Sequence, residues 1–291
     1  MPQFNANLSG PRINYNAAAS INVNRLNRLE KGLMRSMEHI SSGVRITRPA
    51  DDVADHSVSE KLRGQIRSMS AASRNIQDGI ALINVAEGAL NEVNDMLNRI
   101  RELSTQAANG TLTDVDRDNI GMEINKLKEE IDYISESAQY NGKSLLDGTG
   151  EWGRSSGGNL QINAENLYNT DYIRYTIPII NTRTLGIDGG NLMVDSQESA
   201  GASIDIAKEA VNRVNAVRAD LGAISSRLEQ AWKNIDKITE DNQSYETLIR
   251  DTDVAEEMIT VTRDQIISQY CNAMLAQANQ TPQSILQLLS R

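Results

Sequence analysis

Two histidines and one cysteine are the side chains of this sequence best suited to acid–base or nucleophilic chemistry. Neither His39 nor His56 belongs to the zinc-peptidase motif, in which a glutamate lies between two histidines four residues apart. Cys271 alone cannot form an intramolecular disulfide or complete a cysteine–histidine zinc site. We therefore predict that the chain is not an enzyme and that it has no catalytic residue, no metal ligand and no cofactor.

Four carboxylates, Asp251, Asp253, Glu256 and Glu257, form a candidate cation-binding group. The group lacks the glycine turn and the twelfth-position glutamate of an EF-hand calcium loop. Acidic side chains also stabilise the start of a helix, because they complement its dipole and accept hydrogen bonds from its unpaired N–H groups. We favour a helix start over a cation site.

The charge balance limits the class of partner. The chain has 29 Lys and Arg against 39 Asp and Glu, a net charge of −10, and 4% aromatic residues. Nucleic-acid binding is not expected, since the sequence shows no basic run that would contact a phosphate backbone. No apolar stretch approaches the roughly 18 residues of a membrane span, so no membrane partner is expected either.

Long amphipathic helices must position these residues. Apolar side chains recur at spacings of three and four in four segments, which predicts that each segment buries one face of a helix. The fourth segment is nearly a heptad repeat, as is typical of a coiled-coil partner. The four sets are Leu26, Leu29, Leu33, Met37 and Ile40; Ile83, Ala86, Leu90, Val93, Leu97 and Ile100; Ile120, Ile124, Leu127, Ile131 and Ile134; and Ala207, Val211, Val214, Val217, Leu221, Ile224, Leu228, Ala231, Ile235 and Ile238.

Helix boundaries can also be predicted. Asp52, Thr113 and Asp253 each place an oxygen acceptor where the first turn of a helix leaves N–H groups unpaired. The pair Asn109-Gly110 separates the second stripe from the third, which predicts a tight turn between two helices.

Residues 141–202 differ from the helical arms, because they are rich in turn residues such as Asn141-Gly142. Two strands are predicted, one from Leu160 and Ile162 and one from Tyr172, Ile173, Tyr175, Ile177, Ile179 and Ile180. The fold class is predicted to be mainly α: a long antiparallel, coiled-coil-like helical bundle formed by the N- and C-terminal arms, with a small central β-hairpin element.

At both ends of the chain, a series of motifs in order resembles the bacterial flagellin family. The N-terminal motifs include SSGVRI at 41–46, ASRNIQDGI at 72–80, AEGALNEV at 86–93 and RELSTQAANGT at 101–111. The C-terminal motifs include VRADLGA at 217–223, IRDTDVAEEM at 249–258 and AMLAQANQ at 273–280. The resemblance covers nearly the whole chain outside its centre. The order of so many motifs makes it highly specific.

The resemblance implies two concentric layers in a filament, an inner tube around a channel and an outer tube around it. Because the centre is short, it implies a flagellin without large outer domains. The implied divisions are an N-terminal inner-tube segment at 1–47 with an extension at 1–11, N-terminal outer-tube helices at 48–140, a β-hairpin and turn region at 141–202, a C-terminal outer-tube helix at 203–250 and a C-terminal inner-tube helix at 251–291.

The resemblance also implies a function. The chain would be a structural subunit that polymerises with copies of itself into the flagellar filament for motility, because a heterologous interface that does not close generates an open helical polymer. It would be exported unfolded through the flagellar channel, without a cleaved signal peptide, to an extracellular filament or alternatively a periplasmic one. The predicted assembly interface comprises Leu26, Leu29, Leu33, Met274, Leu275, Ile285, Leu288 and Leu289.

Further partners follow from the same resemblance. They are the flagellar cap, the hook-associated proteins and an export chaperone that would hold about Asp253 to Arg291. The candidate face for the innate-immunity receptor Toll-like receptor 5 comprises Arg99, Leu103 and Glu123. Two other interpretations remain open: a flagellin-like hook–filament junction protein with similar ends, and a secreted coiled-coil effector.

Overall fold

The computed structural model describes residues 16–148, 158–163 and 172–289, with side chains described as far as Gln280. This part of the chain is mainly helical, with small two-stranded sheets in its middle, which confirms the predicted fold class. The elements follow one another in this order: α1 (Ala17–Ser42), α2 (Val53–Ala107), α3 (Asp114–Ser137), β1 (Gln139–Tyr140), β2 (Lys143–Ser144), β3 (Gly158–Gln161), β4 (Tyr172–Tyr175), α4 (Thr182–Leu185), α5 (Gln197–Arg250) and α6 (Val254–Leu289).

The chain divides into two compact units. The terminal unit consists of Met1–Arg63 with Gln243–Arg291, and the central unit consists of Gly64–Asn242. Helices α2 and α5 contribute to both units. The filament layers implied by the resemblance, divided at residues 47 and 250, stay a prediction, and the extension at residues 1–11 lies outside the described residues.

The core of the central unit is formed by the apolar stripes of α2, α3 and α5. Every member of the predicted α2 stripe, from Ile83 to Ile100, is completely buried. The two long helices run antiparallel, because Trp232 Nε1 donates to Ser73 Oγ over 3.1 Å while Arg218 Nη2 lies 3.5 Å from Glu87 Oε1. Hydrophobic burial along both helices therefore holds the unit together.

Helix α5 packs with a heptad period, as its sequence predicts. A parallel set of apolar residues, seven apart at Val217, Ile224 and Ala231, is only half-buried and ends at Ile238, which is 38% exposed. The buried residues lie seven apart at Ala207, Val214, Leu221, Leu228 and Ile235.

The predicted helix starts at Asp52 and Thr113 are confirmed. The Asp52 carboxylate accepts hydrogen bonds from the backbone N–H groups of Ala54 and Asp55 over 2.9 and 3.0 Å. Thr113 and Asp116 form a reciprocal capping box at the start of α3. The hydrogen bond from the Thr113 hydroxyl lowers the pKa of Asp116, so the cap is made by a charged acceptor.

The turn between α2 and α3 is fixed by an arginine that the sequence analysis did not single out. Arg117 is 7% exposed, and its Nε donates to the carbonyl oxygen of Ala107 over 3.1 Å. Its Nη2 donates to the carbonyl oxygen of Asn109 over 3.2 Å, and its Nη1 lies 3.1 Å from the Asp114 carboxylate. A cation thus pairs with the last carbonyl of α2, where the helix dipole is negative, and with one carbonyl of the turn that follows.

Two sheets are present in the described part of the centre where one hairpin was predicted. Strands β1 and β2 pair antiparallel across Asn141 and Gly142, whose φ angles are 51° and 74°. Positive φ at both positions is the requirement of a type I′ hairpin turn, and Asn-Gly meets it best. Strands β3 and β4 form the second antiparallel pair, with Gly158 opposite Tyr175.

The prediction of β structure as far as Ile180 is wrong beyond Tyr175. Strand β4 ends there, and Ile177 and Ile180 lie in irregular chain while remaining 0% and 3% exposed. Pro178 lies between them and has no N–H to donate to a sheet. The alternating pattern therefore reports burial in the core, not a longer strand.

A buried lysine supports the irregular chain before α5. Lys128 is 7% exposed, and its Nζ donates to the carbonyl oxygen of Leu192 over 2.9 Å. Burial lowers the pKa of Lys128, and the charge of Asp188 offsets only part of that effect. The folded chain therefore holds this proton less tightly than the unfolded chain does.

The first prediction concerns the tight contact between Gly158 and Tyr175. A Cβ at residue 158 would collide with the ring of Tyr175, which is 1% exposed and cannot move aside. We expect Gly158→Ala to lower the free energy of unfolding by about 1–3 kcal/mol. The matched control is Gly88→Ala, at an open position of α2, which should raise it by roughly 0.5–1 kcal/mol through helix propensity. Equal effects of the two substitutions in thermal melts followed by circular dichroism would contradict the predicted contact.

The second prediction concerns Lys128. Between its lowered folded-state pKa and the ordinary value of 10.5, the unfolded chain binds more protons, so the natural chain gains stability as pH rises through this window. Lys128→Met removes that gain. We expect the melting temperature of the natural chain minus that of the variant to increase from about pH 7 to about pH 10.5. A difference that stays constant over this range would show that Lys128 titrates alike in both states.

Candidate assembly surface

The terminal unit is built around an antiparallel pair of helices, α1 and α6. At one end, the Asn16 side chain caps α1 by accepting from Ala19 N–H over 3.0 Å, and its Nδ2 donates to the carbonyl oxygen of Ala278 over 2.7 Å. At the other end, His39 Nδ1 lies 3.1 Å from Glu257 Oε1. Polar contacts at both ends thus fix the register of the two helices.

A backbone bridge joins the turn that follows α1 to the turn that precedes α6. Val44 and Asp251 form an antiparallel β-bridge, and the N–H of Arg45 donates to the carbonyl oxygen of Arg250 over 2.7 Å. Gly43 ends α1 in the left-handed conformation, with φ of 72°, and this turns the chain toward the bridge. The turn after α1 and the turn before α6 are therefore held together by main-chain hydrogen bonds.

The carboxylates near residue 255 act at the start of α6. Asp253 accepts hydrogen bonds from the N–H groups of Ala255 and Glu256 over 2.8 and 3.2 Å, which confirms the predicted helix start. Glu257 is engaged with His39. Within the ranges that the structure describes, no group of three His, Cys, Asp or Glu side chains is arranged to hold a metal ion.

Most of the described residues of the predicted assembly interface lie between α1 and α6 of the same chain. Leu26, Leu29, Leu33 and Leu275 are half-buried there, whereas Met274 is 42% exposed. Three further members, Ile285, Leu288 and Leu289, lie beyond the side chains that the structure describes. We call the four half-buried leucines the inner seam of the pair. The three-and-four spacing identified the inner seam because an amphipathic pattern marks the face that a helix buries.

A second set of apolar side chains points away from the pair, and we call it the outward apolar face. Its most exposed members include Ile259 at 70%, Met34 at 65% and Ile266 at 62%. Extended exposed apolar surface is unusual in a monomer and marks an interaction site. The outward apolar face comprises Ile21, Val23, Met34 and Met37 of α1 and Val254, Met258, Ile259, Ile266, Tyr270 and Met274 of α6.

The α6 part of the outward apolar face contains a shallow groove of about 480 Å³. The groove is open, and its lining is mainly aliphatic, so a complementary apolar side chain is the occupant that its chemistry favours. Apolar residues on all sides of α6 are the signal that would have revealed this face, because a helix that is apolar all round is normally buried. The lining residues are Met258, Ile259, Thr262, Arg263, Ile266 and Ile267.

The three residues of the candidate receptor face have different surroundings. Leu103 is 2% exposed and belongs to the core of the central unit, so it is not part of the surface. Arg99 and Glu123 are half exposed, and Arg99 Nη2 lies 2.9 Å from Glu123 Oε1. The hydrogen bonds to Glu123 and to Glu102 raise the pKa of Arg99. This ion pair joins α2 to α3.

No helix within residues 16–148, 158–163 and 172–289 is both long and apolar enough to cross a bilayer.

Comparisons with known proteins agree with this architecture. Residues 13–151 match the bacterial flagellin N-terminal helical region, and residues 204–289 match the bacterial flagellin C-terminal helical region. The chain is 41% identical to flagellin FlaB2 of Treponema pallidum over 95% of this chain and 99% of that protein, and 40% identical to the flagellin of Bacillus subtilis over 96% and 99%. It is also 40% identical to the flagellar filament 33 kDa core protein of Treponema phagedenis, over 95% of this chain and 99% of that protein. The chain therefore belongs to the bacterial flagellin family, and it is a structural, non-enzymatic subunit that polymerises into the flagellar filament for motility.

Proposed function

We propose that this flagellin polymerises by burying the outward apolar face of α1 and α6 against neighbouring copies of the same chain. The observation that carries the proposal is the exposure of ten large apolar side chains on the two helices, on the sides that the α1–α6 pair leaves uncovered. One patch that docks against a different patch on the next copy extends without closing, which produces a helical filament.

The inner seam and the outward apolar face have separate roles in this proposal. The inner seam, with Leu26, Leu29 and Leu33, holds α1 against α6 within one subunit. The outward apolar face then provides the contact between subunits, and each of its side chains contributes on the order of 1 kcal/mol when it leaves water. Association also costs about 4–15 kcal/mol of translational and rotational freedom, so no single side chain suffices and assembly depends on concentration.

The filament layers implied by the resemblance fit the same proposal. Residues 1–47 and 251–291 would form the inner tube, and they include every member of the outward apolar face. Residues 48–140, 141–202 and 203–250 would form the outer tube. The described residues between α3 and α5 form two small sheets and the short helix α4, which suits a subunit without large outer domains.

The proposal also includes partners other than the subunit itself. An export chaperone would cover Asp253 to Arg291 before assembly, since this segment carries most of the exposed apolar groove. The flagellar cap and the hook-associated proteins would contact the two ends of the filament. Toll-like receptor 5 would meet the exposed pair Arg99 and Glu123, with Leu103 supporting it from the core.

The compartment is a separate part of the proposal. We propose an extracellular filament, and the relatives from Treponema are consistent with a periplasmic flagellum. Labelling intact cells with an antibody that recognises the assembled filament distinguishes the two, because the antibody reaches only a filament outside the cell envelope.

The third prediction tests the outward apolar face. Sulfate strengthens the burial of apolar surface, so the purified full chain should form long filaments in sulfate that sediment and are visible by electron microscopy. Ile266→Lys should raise the concentration needed for assembly at least tenfold, because a lysine would be buried without a partner. The fold of the subunit should be unchanged, since Ile266 is 62% exposed.

Two controls accompany this experiment. Gln265→Lys adds the same charge at an exposed neighbouring position that is already polar, and it should have a much smaller effect. A chain lacking residues 281–291 tests the predicted members Ile285, Leu288 and Leu289, and it should fail to form filaments. Normal assembly of Ile266→Lys would show that the outward apolar face is not the contact between subunits.

A further inference from the structure

Four of the ten side chains in the outward apolar face are methionines. Met34 and Met37 on α1 are 65% and 55% exposed, and Met258 and Met274 on α6 are 49% and 42% exposed. The two methionines in the core region of the central unit, Met69 and Met96, are instead partly buried against apolar neighbours. All four methionines among the described residues of the terminal unit therefore lie on the surface proposed to join subunits.

Solvent exposure determines which methionines react with small oxidants. A thioether in water is accessible to hydrogen peroxide, whereas a thioether covered by packed neighbours is protected. The single thiol of the chain, Cys271, is 3% exposed and lies on the inner side of the pair, so it is shielded from the same reagent. The described terminal unit therefore presents its methionine sulfurs, and not its cysteine sulfur, to oxidants.

We propose that Met34, Met37, Met258 and Met274 are a redox-sensitive modification site, whose oxidation to methionine sulfoxide by peroxide keeps the free subunit from assembling. In each oxidation one oxygen atom passes from hydrogen peroxide to the thioether sulfur, which gives a sulfoxide and water. Reduction by a dithiol through a methionine sulfoxide reductase returns the thioether, with release of water and formation of a disulfide on the reductant. The proposal rests on the assembly surface proposed above.

The surroundings of Met258 explain why a sulfoxide would oppose assembly. The groove beside it is lined mainly by aliphatic side chains, among them Ile259 and Ile266. The Thr262 hydroxyl already donates to the carbonyl oxygen of Met258 over 2.8 Å, and Arg263 Nε donates to Asp264 over 3.2 Å. A sulfoxide oxygen buried here would lose its hydrogen bonds to water and find few donors in exchange.

The position of the four sulfurs makes the modification dependent on the assembly state. In the free subunit they are exposed, so oxidation is fast and blocks addition to a filament. In the filament they would be covered by neighbouring copies, so the same oxidant reacts slowly and existing filaments persist. The site thus senses oxidant during growth and not afterwards, which is a property that a uniformly exposed set of methionines would not have.

The fourth prediction tests this site. The full chain is treated with hydrogen peroxide before and after assembly in sulfate, oxidation of each methionine is located by mass spectrometry of peptides, and the concentration needed for assembly is measured. We expect oxidation of the free subunit to raise that concentration at least tenfold. We also expect the four methionines to react at least tenfold more slowly in filaments than in the free subunit, and sulfoxide reductase with dithiothreitol to restore assembly.

Matched variants identify the sulfurs responsible. A chain that carries Met34→Leu, Met37→Leu, Met258→Leu and Met274→Leu should need the same concentration for assembly before and after peroxide treatment, whatever that concentration is, because leucine keeps a similar apolar volume and cannot be oxidised. The control carries Met122→Leu and Met193→Leu, at positions of the central unit that are 60% and 45% exposed. Peroxide should still raise the concentration that this control needs for assembly. Circular dichroism verifies that each variant folds. Two double variants, one at Met34 and Met37 and one at Met258 and Met274, keep the test available if the fourfold variant does not fold.

The outcomes separate the two proposals. The proposed assembly surface is wrong if the unoxidised natural chain forms no filaments. It is also wrong if the Ile266→Lys variant assembles at the same concentration as the natural chain. If the natural chain assembles and its oxidised form assembles at the same concentration, the redox site is wrong while the assembly surface stands. Peroxide sensitivity that persists in the fourfold leucine variant would falsify the assignment to these four methionines.

Discussion

The pairing of α1 with α6 is the constraint on which the terminal unit depends. Each helix can turn only part of its surface toward its partner, and the seam of Leu26, Leu29, Leu33 and Leu275 occupies that part. Apolar side chains on the rest of each helix are not covered by the α1–α6 pair. A cap at Asn16 and the contact between His39 and Glu257 fix which residues face inward, so they also fix which residues face outward.

The central unit buries its apolar stripes within a single chain. Helices α2, α3 and α5 each turn an apolar stripe to a shared core, and buried polar groups finish the ends of these elements. Arg117 donates a hydrogen bond to the last carbonyl oxygen of α2, and Lys128 donates one to the carbonyl oxygen of Leu192. Because its apolar stripes are satisfied within one chain, this unit has a complete core before any partner is present. Among the described residues, large apolar side chains exposed to water are more numerous in the terminal unit than in the central unit.

The sequence predicted the helices and much of the core, because a period of three and four residues reports burial directly. The α2 stripe from Ile83 to Ile100 and the caps at Asp52, Thr113 and Asp253 were all recovered. Two kinds of feature were missed. Strand β4 ends at Tyr175 because Pro178 follows, which apolar alternation alone does not reveal. The outward apolar face was only partly predicted, since periodicity cannot tell a seam within one chain from a surface between chains.

The sequence separation of the contacts in the terminal unit has a consequence for the order of folding. The contact between His39 and Glu257 spans 218 positions of the chain, and that between Asn16 and Ala278 spans 262. Such contacts have a high contact order, and each requires closure of a very long loop before it contributes any stability. During synthesis α1 leaves the ribosome long before α6 exists. Helix α1 therefore finds its partner only after α6 has been synthesised, and the terminal unit cannot be completed before then.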